Sequence, residues 1–306
     1  RIVATSCFSG GFGELVFTGA DAELGATEQD RCGLFASPWD LEAAGCDPEP
    51  DIRARESYGG HFWHALIGEA ADGTRLSASE VDFDGDGRVS LLEAHTRVRI
   101  ASLAADVPTT TSERFLRENA PAEGPSAVVL LPEEAAAIAG LSKRLGYAPE
   151  DTGRAEVELK ALEVAVADAE ADYEEAQEQT NNAWSVLTGA LLAQWPAIDD
   201  PWHPDFRATL EENREAISRF LETAPAASRY REALDAEQRL DDFVHSLRLR
   251  SAPVERLARA LQTVEFAGRL DRVGGPASTR YHSLLACERF APLPARPVPV
   301  PRQKGR

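Results

Sequence analysis

Oxygen-bearing side chains in the first half of the chain stand at the spacing of a cation-binding loop. The segment from Asp82 to Glu93 reads DFDGDGRVSLLE and matches the pattern D-x-D-x-D-G-x5-E over its full length. In such loops the aspartates give one oxygen each, a glycine makes the sharp turn, and the closing glutamate binds with both oxygens. The ligands predicted for one Ca²⁺ ion are Asp82, Asp84, Asp86, the backbone carbonyl of Arg88, Ser90 directly or through water, and Glu93. A solvated acidic turn is the alternative, and a single loop favours a structural ion over a calcium sensor.

A second candidate site is a thiol that follows the first apolar segment. Ile2–Ser6 has the pattern of a short buried strand, and Cys7 stands in the glycine-rich turn directly after it. Open α/β sheets place their sites at the carboxyl ends of strands, so Cys7 is a candidate nucleophile. The backbone N–H groups of Gly10 and Gly11 are candidate donors of an oxyanion hole. A small buried cysteine beside a glycine turn is the alternative interpretation.

The composition limits which partners the chain can have. Its 306 residues include 51 acidic and 32 basic side chains, giving a net charge of −19, and 43% of the residues are hydrophobic. The hydrophobic content supports real cores, and the negative charge would repel a phosphate backbone, so nucleic acid is not expected as a partner. No apolar run is long enough to span a membrane. The chain contains no methionine and begins abruptly at Arg1, which predicts a fragment whose N-terminal part is missing.

The cysteines are few and widely spaced. Cys32 and Cys46 share one Gly/Pro-rich segment and are predicted either to form a disulfide or to remain two free thiols, while Cys287 stands near the other end of the chain. No CxxC pair is present, which argues against a zinc site built from these thiols.

The elements that must position these residues fall into two regions of different composition. The first, residues 1–124, is predicted to be α/β and to contain both candidate sites. Its predicted elements after Cys7 are a strand at Leu24–Thr27, a long loop over 28–57, a helix packed on the sheet at Tyr58–Ala70, a helix–loop–helix over 73–105, and a short helix at Ser112–Asn119.

The second region is predicted to be entirely helical. After a linker over 125–151 with a short helix at Pro132–Leu145, apolar residues step by three and four from Leu159 to Leu187, which is typical of a coiled-coil helix. Pro196–Pro204 interrupts the pattern, which resumes over 206–222, over 228–250 and from Val254. Short interruptions favour antiparallel packing within residues 152–290, and self-association through a coiled coil is the alternative. Residues 291–306 are predicted to be an extended Pro-rich basic tail.

The nucleophile turn also carries a family resemblance. The segment VATSCFSGGF, from Val3 to Phe12, resembles the turn that holds the catalytic cysteine in caspase-like peptidases of the legumain and metacaspase group. The resemblance covers about residues 1–105 and includes the segment from Leu24 to Arg31, Gly45–Asp47 and the aromatic helix near Phe62. It implies a partial caspase-like sheet with flanking helices.

The same resemblance implies a thiol protease acting on proteins or peptides. It places Thr27, Glu28 and Asp30 near the substrate side chain at the scissile bond. It also places the catalytic histidine on a His-Gly turn upstream of the cysteine. The six residues before Cys7 contain no histidine, and His61 and His64 lie at helical spacing in an aromatic segment, so they are predicted to pack. The base is therefore expected upstream of Arg1, and the 306-residue chain itself is expected to be inactive.

Two functions remain open at the level of sequence. The first is a calcium-binding cysteine endopeptidase, and the alternative is a calcium-dependent, non-enzymatic scaffold, a pseudo-peptidase with a helical interaction region. A calcium loop together with a possible disulfide favours an extracytoplasmic or cell-envelope location, where calcium is plentiful.

Overall fold

The computed structural model describes residues 1–44, 57–70, 72–148 and 151–293. This part of the chain is mostly helical, with one small mixed sheet built from β1 (Ile2–Ala4), β2 (Gly33–Phe35) and β3 (Thr109–Thr110) in the order β1-β2-β3. The α-helices in chain order are α1 (Tyr58–Ile67), α2 (Leu91–Ala101), α3 (Thr111–Asn119), α4 (Pro132–Leu145), α5 (Thr152–Gln194), α6 (Phe206–Glu212), α7 (Arg214–Thr223), α8 (Pro225–Val273) and α9 (Gly275–Glu288).

The sheet sets the direction in which the Cys7 turn leaves the core. β1 and β2 run parallel, with Ile2 opposite Gly33 and Ala4 opposite Phe35, and β3 runs antiparallel to β2. The chain therefore leaves β1 and β2 at the same edge of the sheet. Three short strands of this kind occur in many α/β folds, so the caspase-like sheet stays a proposal.

The second strand lies later in the chain than the sequence predicts. The prediction of a strand at Leu24–Thr27 is wrong. Ala22–Leu24 instead forms a 3-10 turn, in which the Asp21 side chain accepts the Glu23 N–H, and Gly25 follows it with a positive φ of 75°. β2 instead lies within the stretch predicted to be a long loop, and all of its residues are buried.

The helices around the predicted calcium loop differ from the predicted helix–loop–helix. α1 begins at the Ser57 cap and packs its buried face on α2, which confirms a helix in this segment. α2 begins directly after the loop, as predicted. Before the loop, however, the described residues form only a 3-10 turn, Ala78–Glu80, capped by Ser77. The segment before Ser77 has no helical apolar period, so local capping decides its conformation.

The contacts divide the chain into two compact units, one of residues 1–160 and 249–306 and one of residues 161–248. The expected division at residues 124 and 151 therefore differs from the contacts, since the end of the helical region belongs with the α/β part. In the first unit one continuous hydrophobic core joins β2, α1, α2, α3 and α9, with Leu34, Phe62, Phe115 and Tyr281 each at most 1% exposed.

The second unit contains an antiparallel pair of helical segments. Glu170 of α5 pairs with Arg248 of α8 at 2.7 Å, and further along α5 the Trp184 ring lies 5.2 Å from the Tyr230 ring. Residues later in α5 therefore contact residues earlier in α8, so these two helical segments run antiparallel. The buried seam of α5 includes Leu162, Ala169, Ala176, Thr180 and Leu187, which confirms the predicted heptad positions as the packed face.

α8 is longer than its sequence pattern predicts, since it continues through Pro253 without a break. A proline in a helix interior costs about 3 kcal/mol. The residues on either side of it, Ala252 and Val254, are at most 2% exposed, so their packing offsets that cost. Among the helices the structure describes, none has a stretch long and apolar enough to cross a membrane.

Candidate functional site

The three aspartates of the predicted calcium loop lie together. One side-chain oxygen from each of Asp82, Asp84 and Asp86 falls within 4.8 Å of the others. The same carboxylates hold the loop in shape: Asp82 accepts the Gly87 N–H (3.0 Å), Asp84 accepts the Asp86 N–H (3.0 Å), and Asp86 accepts the Arg88 N–H (2.7 Å). Gly87 has a φ of 81°, the left-handed conformation that the predicted sharp turn needs. The backbone thus presents three anionic groups to one point.

One oxygen of this cluster has no partner in the structure. Asp82 Oδ1 is buried and accepts no hydrogen bond, while Oδ2 is bonded to Gly87. A buried carboxylate oxygen without a partner is costly, and a hard cation is the kind of group that would satisfy it. Three carboxylate oxygens converging on one point fit the oxygen ligands that Ca²⁺ takes.

Glu93 joins the two ends of the loop and is only 1% exposed. Its Oε1 accepts the Phe83 N–H at 2.6 Å, and its Oε2 accepts the Ser90 N–H at 2.8 Å, completing a capping box at the start of α2. Burial raises the pKa of Glu93, and these hydrogen bonds oppose the rise. The structure therefore places both Glu93 oxygens against backbone donors and does not bring them into the group of three aspartates. The Ser90 hydroxyl serves as the cap of α2.

The exit of the loop is held by residues that directly follow α9. The Leu91 N–H donates to the Phe290 carbonyl (3.0 Å), and the Arg88 side chain donates to the Ala291 carbonyl (3.3 Å). These contacts supply support on the exit side of the loop, whereas a short 3-10 turn precedes its entrance.

The Cys7 turn lies just past the carboxyl end of β1. The thiol is half-buried and its Sγ lies 3.7 Å from the Ala43 carbonyl oxygen. The next residue, Phe8, adopts a left-handed conformation with a φ of 58°, and its N–H donates to the Leu41 carbonyl (2.9 Å). Strained conformations of this kind at a non-glycine residue persist only where surrounding contacts impose them.

The glycines after Cys7 do not present free N–H groups. The Gly10 N–H donates to the Ser37 carbonyl (2.8 Å), and the Gly11 N–H donates to the Phe8 carbonyl (3.1 Å). The expected oxyanion hole from these two donors is therefore not formed in this structure. Gly10 has a different role, because a Cβ atom there would lie 2.7 Å from the backbone of Ser37 and Pro38.

The residues predicted to contact the substrate bond to other parts of the first unit. Thr27 donates its N–H to the Val16 carbonyl (2.9 Å), and its hydroxyl accepts the Gln29 N–H. Asp30 pairs with Arg280 of α9 (3.1 Å). Among the described residues no hydrogen bond or ion pair joins Thr27, Glu28 or Asp30 to Cys7, so their contact with substrate stays a prediction.

The segment that directly follows β2 lies next to the Cys7 turn, because the Gly10 N–H donates to the Ser37 carbonyl. Ser37, Pro38 and Trp39 leave the sheet on the Cys7 side, and Gly11 lies against Trp39. Trp39 is 71% exposed, and Phe8 and Phe12 are each 51% exposed, so the turn that contains Cys7 and the segment after β2 carry exposed aromatic side chains. The signal in the sequence was the short apolar run from Gly33 to Ala36 before Ser-Pro.

The two histidines of α1 lie on its outer side. His61 and His64 are half-buried and line a surface cavity together with Glu69, Asp72 and Arg97. The buried face of α1 is formed instead by Tyr58, Phe62, Ala65 and Leu66.

The disulfide differs from the pairing considered from sequence. Cys32 bonds to Cys287 of α9 across 255 positions of sequence, so the predicted alternative of a Cys32–Cys46 disulfide is wrong. Cys46 itself lies outside the described residues. Segment length alone could not reveal this pair, because it depends on α9 folding back onto β2.

Comparison with known proteins gives no relative. No protein-family model, no curated protein and no solved structure matches this chain.

Proposed function

We propose that this chain binds one calcium ion in the loop Asp82–Glu93 and carries the nucleophile of a cysteine endopeptidase, Cys7. The observation that carries the calcium proposal is the convergence of three aspartate oxygens within 4.8 Å, together with a buried oxygen of Asp82 that has no hydrogen-bond partner. Asp82, Asp84 and Asp86 would hold the ion, and the loop pattern adds the Arg88 carbonyl and Glu93, whose carboxylate would exchange its backbone donors for the ion. The ion would neutralise their mutual repulsion and fix the start of α2.

The calcium proposal predicts a ligand-dependent gain in stability. At free calcium about 100 times the dissociation constant, the gain is about 2.7 kcal/mol. Glu93→Gln should abolish most of it while keeping the capping box of α2, since glutamine serves at that capping position too. Thermal melts with calcium and with a chelator measure the effect.

The chain offers a matched control for this experiment. Glu80 makes the same kind of capping box with Ser77, just outside the loop, so Glu80→Gln should keep the full response to calcium. If calcium leaves the wild-type midpoint unchanged, or if Glu80→Gln loses the response equally, the loop is only an acidic turn.

The peptidase proposal rests on the position of Cys7 and on the resemblance of its turn. The thiol is half-buried past the carboxyl end of a parallel strand, where α/β folds place their sites, and its turn carries the exposed aromatic side chains of Phe8 and Phe12. A peptide or protein is the substrate that such a surface suits. Nothing in the loop chemistry of the calcium site takes part in the reaction.

The proposed reaction is covalent catalysis. A histidine N-terminal to Arg1, where the resemblance puts it, accepts the Cys7 proton, and the thiolate forms a bond to the peptide carbonyl carbon. The C–N bond breaks, and the imidazolium gives its proton to the departing amine. Water then cleaves the thioester, releasing the acid and restoring the thiol. Because Gly10 and Gly11 are already bonded, other donors or a rearrangement of the turn must stabilise the oxyanion.

Activity measurements on two chain lengths test this proposal. The 306-residue chain should not cleave peptides, because the base that the proposal requires is not among its residues. A chain extended at its N-terminus by a segment with a His-Gly turn should cleave them, and Cys7→Ala should abolish that activity. His61→Ala and His64→Ala are the controls and should retain it. Cleavage by the 306-residue chain that disappears with His61→Ala would place the base on α1 instead.

The second candidate is a calcium-dependent scaffold without catalysis. The bonded N–H groups of Gly10 and Gly11 favour it, since the turn is closed to an oxyanion. An electrophilic peptide probe separates the two functions, because a peptidase labels at Cys7 in the extended chain and a scaffold does not. Self-association through the helical region is part of this second proposal. For both, the disulfide and calcium loop suit an oxidising, calcium-rich compartment outside the cytoplasm.

A further inference from the structure

Asp106 is a buried carboxylate close to the Cys7 turn in space but far from it in sequence. It is 1% exposed, and its Oδ1 accepts the Ala44 N–H at 2.6 Å. Its Oδ2 is buried and has no hydrogen-bond partner. Keeping an incompletely bonded carboxylate in a core is costly, so the contact with Ala44 has a specific purpose in this fold.

The residue before Ala44 contacts the thiol directly. The Ala43 carbonyl is the acceptor facing Cys7 Sγ, and the Leu41 carbonyl accepts the Phe8 N–H. The segment 41–44 therefore bonds both the nucleophile and the strained residue after it. Asp106 fixes the far end of that segment.

Asp106 is itself held by a buried arginine from α8. Arg256 is 1% exposed and donates to the carbonyls of Asp106 (2.6 Å), Ser102 (2.8 Å) and Ala104 (2.6 Å). Burial lowers the pKa of Arg256 to about 10, so it stays charged at neutral pH. A buried guanidinium needs such acceptors. Three of them belong to the loop that ends at Asp106, and a fourth, longer contact goes to the Arg99 carbonyl of α2 (3.4 Å).

We propose that Asp106 and Arg256 are positioning residues for Cys7. Arg256 fixes the loop 102–106, Asp106 fixes Ala44, and the neighbouring Ala43 carbonyl holds the thiol. The helical C-terminal region is thereby part of the nucleophile site and not a separate attachment. This role rests on Cys7 being the nucleophile of the proposed peptidase.

The rate at which a small neutral reagent alkylates Cys7 in the folded 306-residue chain tests the arrangement. A Cys46→Ser background leaves one free thiol, and peptide mapping confirms the labelled site. Asp106→Ala and Arg256→Lys should raise the rate about tenfold, the ratio that corresponds to the net free energy of one hydrogen bond. Asp106→Asn keeps an oxygen for the Ala44 N–H and should stay within about twofold of wild type.

Arg259 provides the matched control, since it lies one turn further along α8, is largely buried and pairs with Glu113 and Glu255. Arg259→Lys should lower the unfolding midpoint comparably but leave the Cys7 rate unchanged. In the N-terminally extended chain, Asp106→Ala and Arg256→Lys should lower kcat and leave KM nearly unchanged.

Three results would overturn the proposal: Cys7 rates within twofold of wild type for both Asp106→Ala and Arg256→Lys, equal acceleration by Arg259→Lys, or no rescue by Asp106→Asn. The alkylation experiment does not depend on catalysis. Failure of the peptidase proposal therefore shows as an inactive extended chain with these alkylation differences still present.

Discussion

Glu288 shows how strongly the fold can change a single side chain. It is fully buried at the end of α9 and accepts hydrogen bonds from Thr111 Oγ1 (2.5 Å), Ser112 N–H (2.8 Å) and Ser112 Oγ (2.6 Å). Burial is the largest effect and raises its pKa from 4.5 to about 7, although these hydrogen bonds favour the ionised form. No arginine pairs with Glu288 within ion-pair distance in the described residues, unlike Glu133 and Glu113 nearby.

This raised pKa predicts a loss of stability with rising pH. A carboxyl group with a higher pKa in the folded state binds its proton more tightly there, so its contribution is complete below pH 4.5 and disappears as pH rises through 7. The loss is on the order of 3 kcal/mol. Urea unfolding at pH 4.5 and pH 8 should show it in wild type relative to Glu288→Gln, which cannot ionise. Glu118→Gln, at an exposed carboxyl on α3, should follow wild type, and a parallel pH dependence in Glu288→Gln would contradict the assignment.

At this scale the sequence predicts residues whose role is local. The aspartate cluster and the turn at Gly87 follow from a twelve-residue pattern, because the hydrogen bonds that the three aspartate side chains accept all lie within the loop. The roles of Gly10, Asp106 and Arg256 depend on segments 27 to 150 positions away, as in the Arg256–Asp106 bond. No local pattern records such contacts.

At the scale of elements, the spacing of apolar residues in the sequence predicts the helices but not the strands. α4 was predicted to the residue because Pro132 begins it and Gly146, in the left-handed conformation, ends it. A three-residue strand such as β2 has too few positions for a period to be read. Its place was decided by pairing with β1 and by full burial, which are tertiary effects.

The packed seam of α5 gives a prediction about the second unit. Leu162 is 7% exposed, whereas Val164, two positions later on the same helix, is 60% exposed. Leu162→Asp should destabilise the unit by about 3 kcal/mol or more, because it buries an unpaired charge. Val164→Asp puts the same charge in solvent and should change little. Circular dichroism melts of both variants measure the difference, and equal melting would mean that the seam does not support the helix.

At the scale of the whole molecule, the segment Cys287–Ala291 closes the first unit. Its residues contact four parts of the unit. Cys287 bonds to Cys32 before β2, Glu288 caps α3, and Arg289 pairs with Glu133 of α4 at 2.7 Å. Phe290 and Ala291 both accept hydrogen bonds from the loop Asp82–Glu93. These contacts join the two ends of the first unit, residues 1–160 and 249–306.

The Cys32–Cys287 bond should be the strongest single contributor to this closure. A cross-link between residues so distant restricts the unfolded chain greatly, and losing a native disulfide costs about 2–5 kcal/mol. Cys287→Ser should lower the free energy of unfolding by that amount, and the double variant Cys32→Ser/Cys287→Ser should be no less stable, because the bond is lost only once. Cys7→Ser, at a free thiol, is the control.

Hydrogen exchange locates the effect, since both half-cystines belong to the unit of residues 1–160 and 249–306. In Cys287→Ser, the protection of backbone amides from exchange should fall in β2, α3 and α9 relative to wild type. It should stay unchanged over residues 161–248. Additive losses in the double variant, or equal loss of protection across both units, would show that the cysteines act by packing and not as a cross-link.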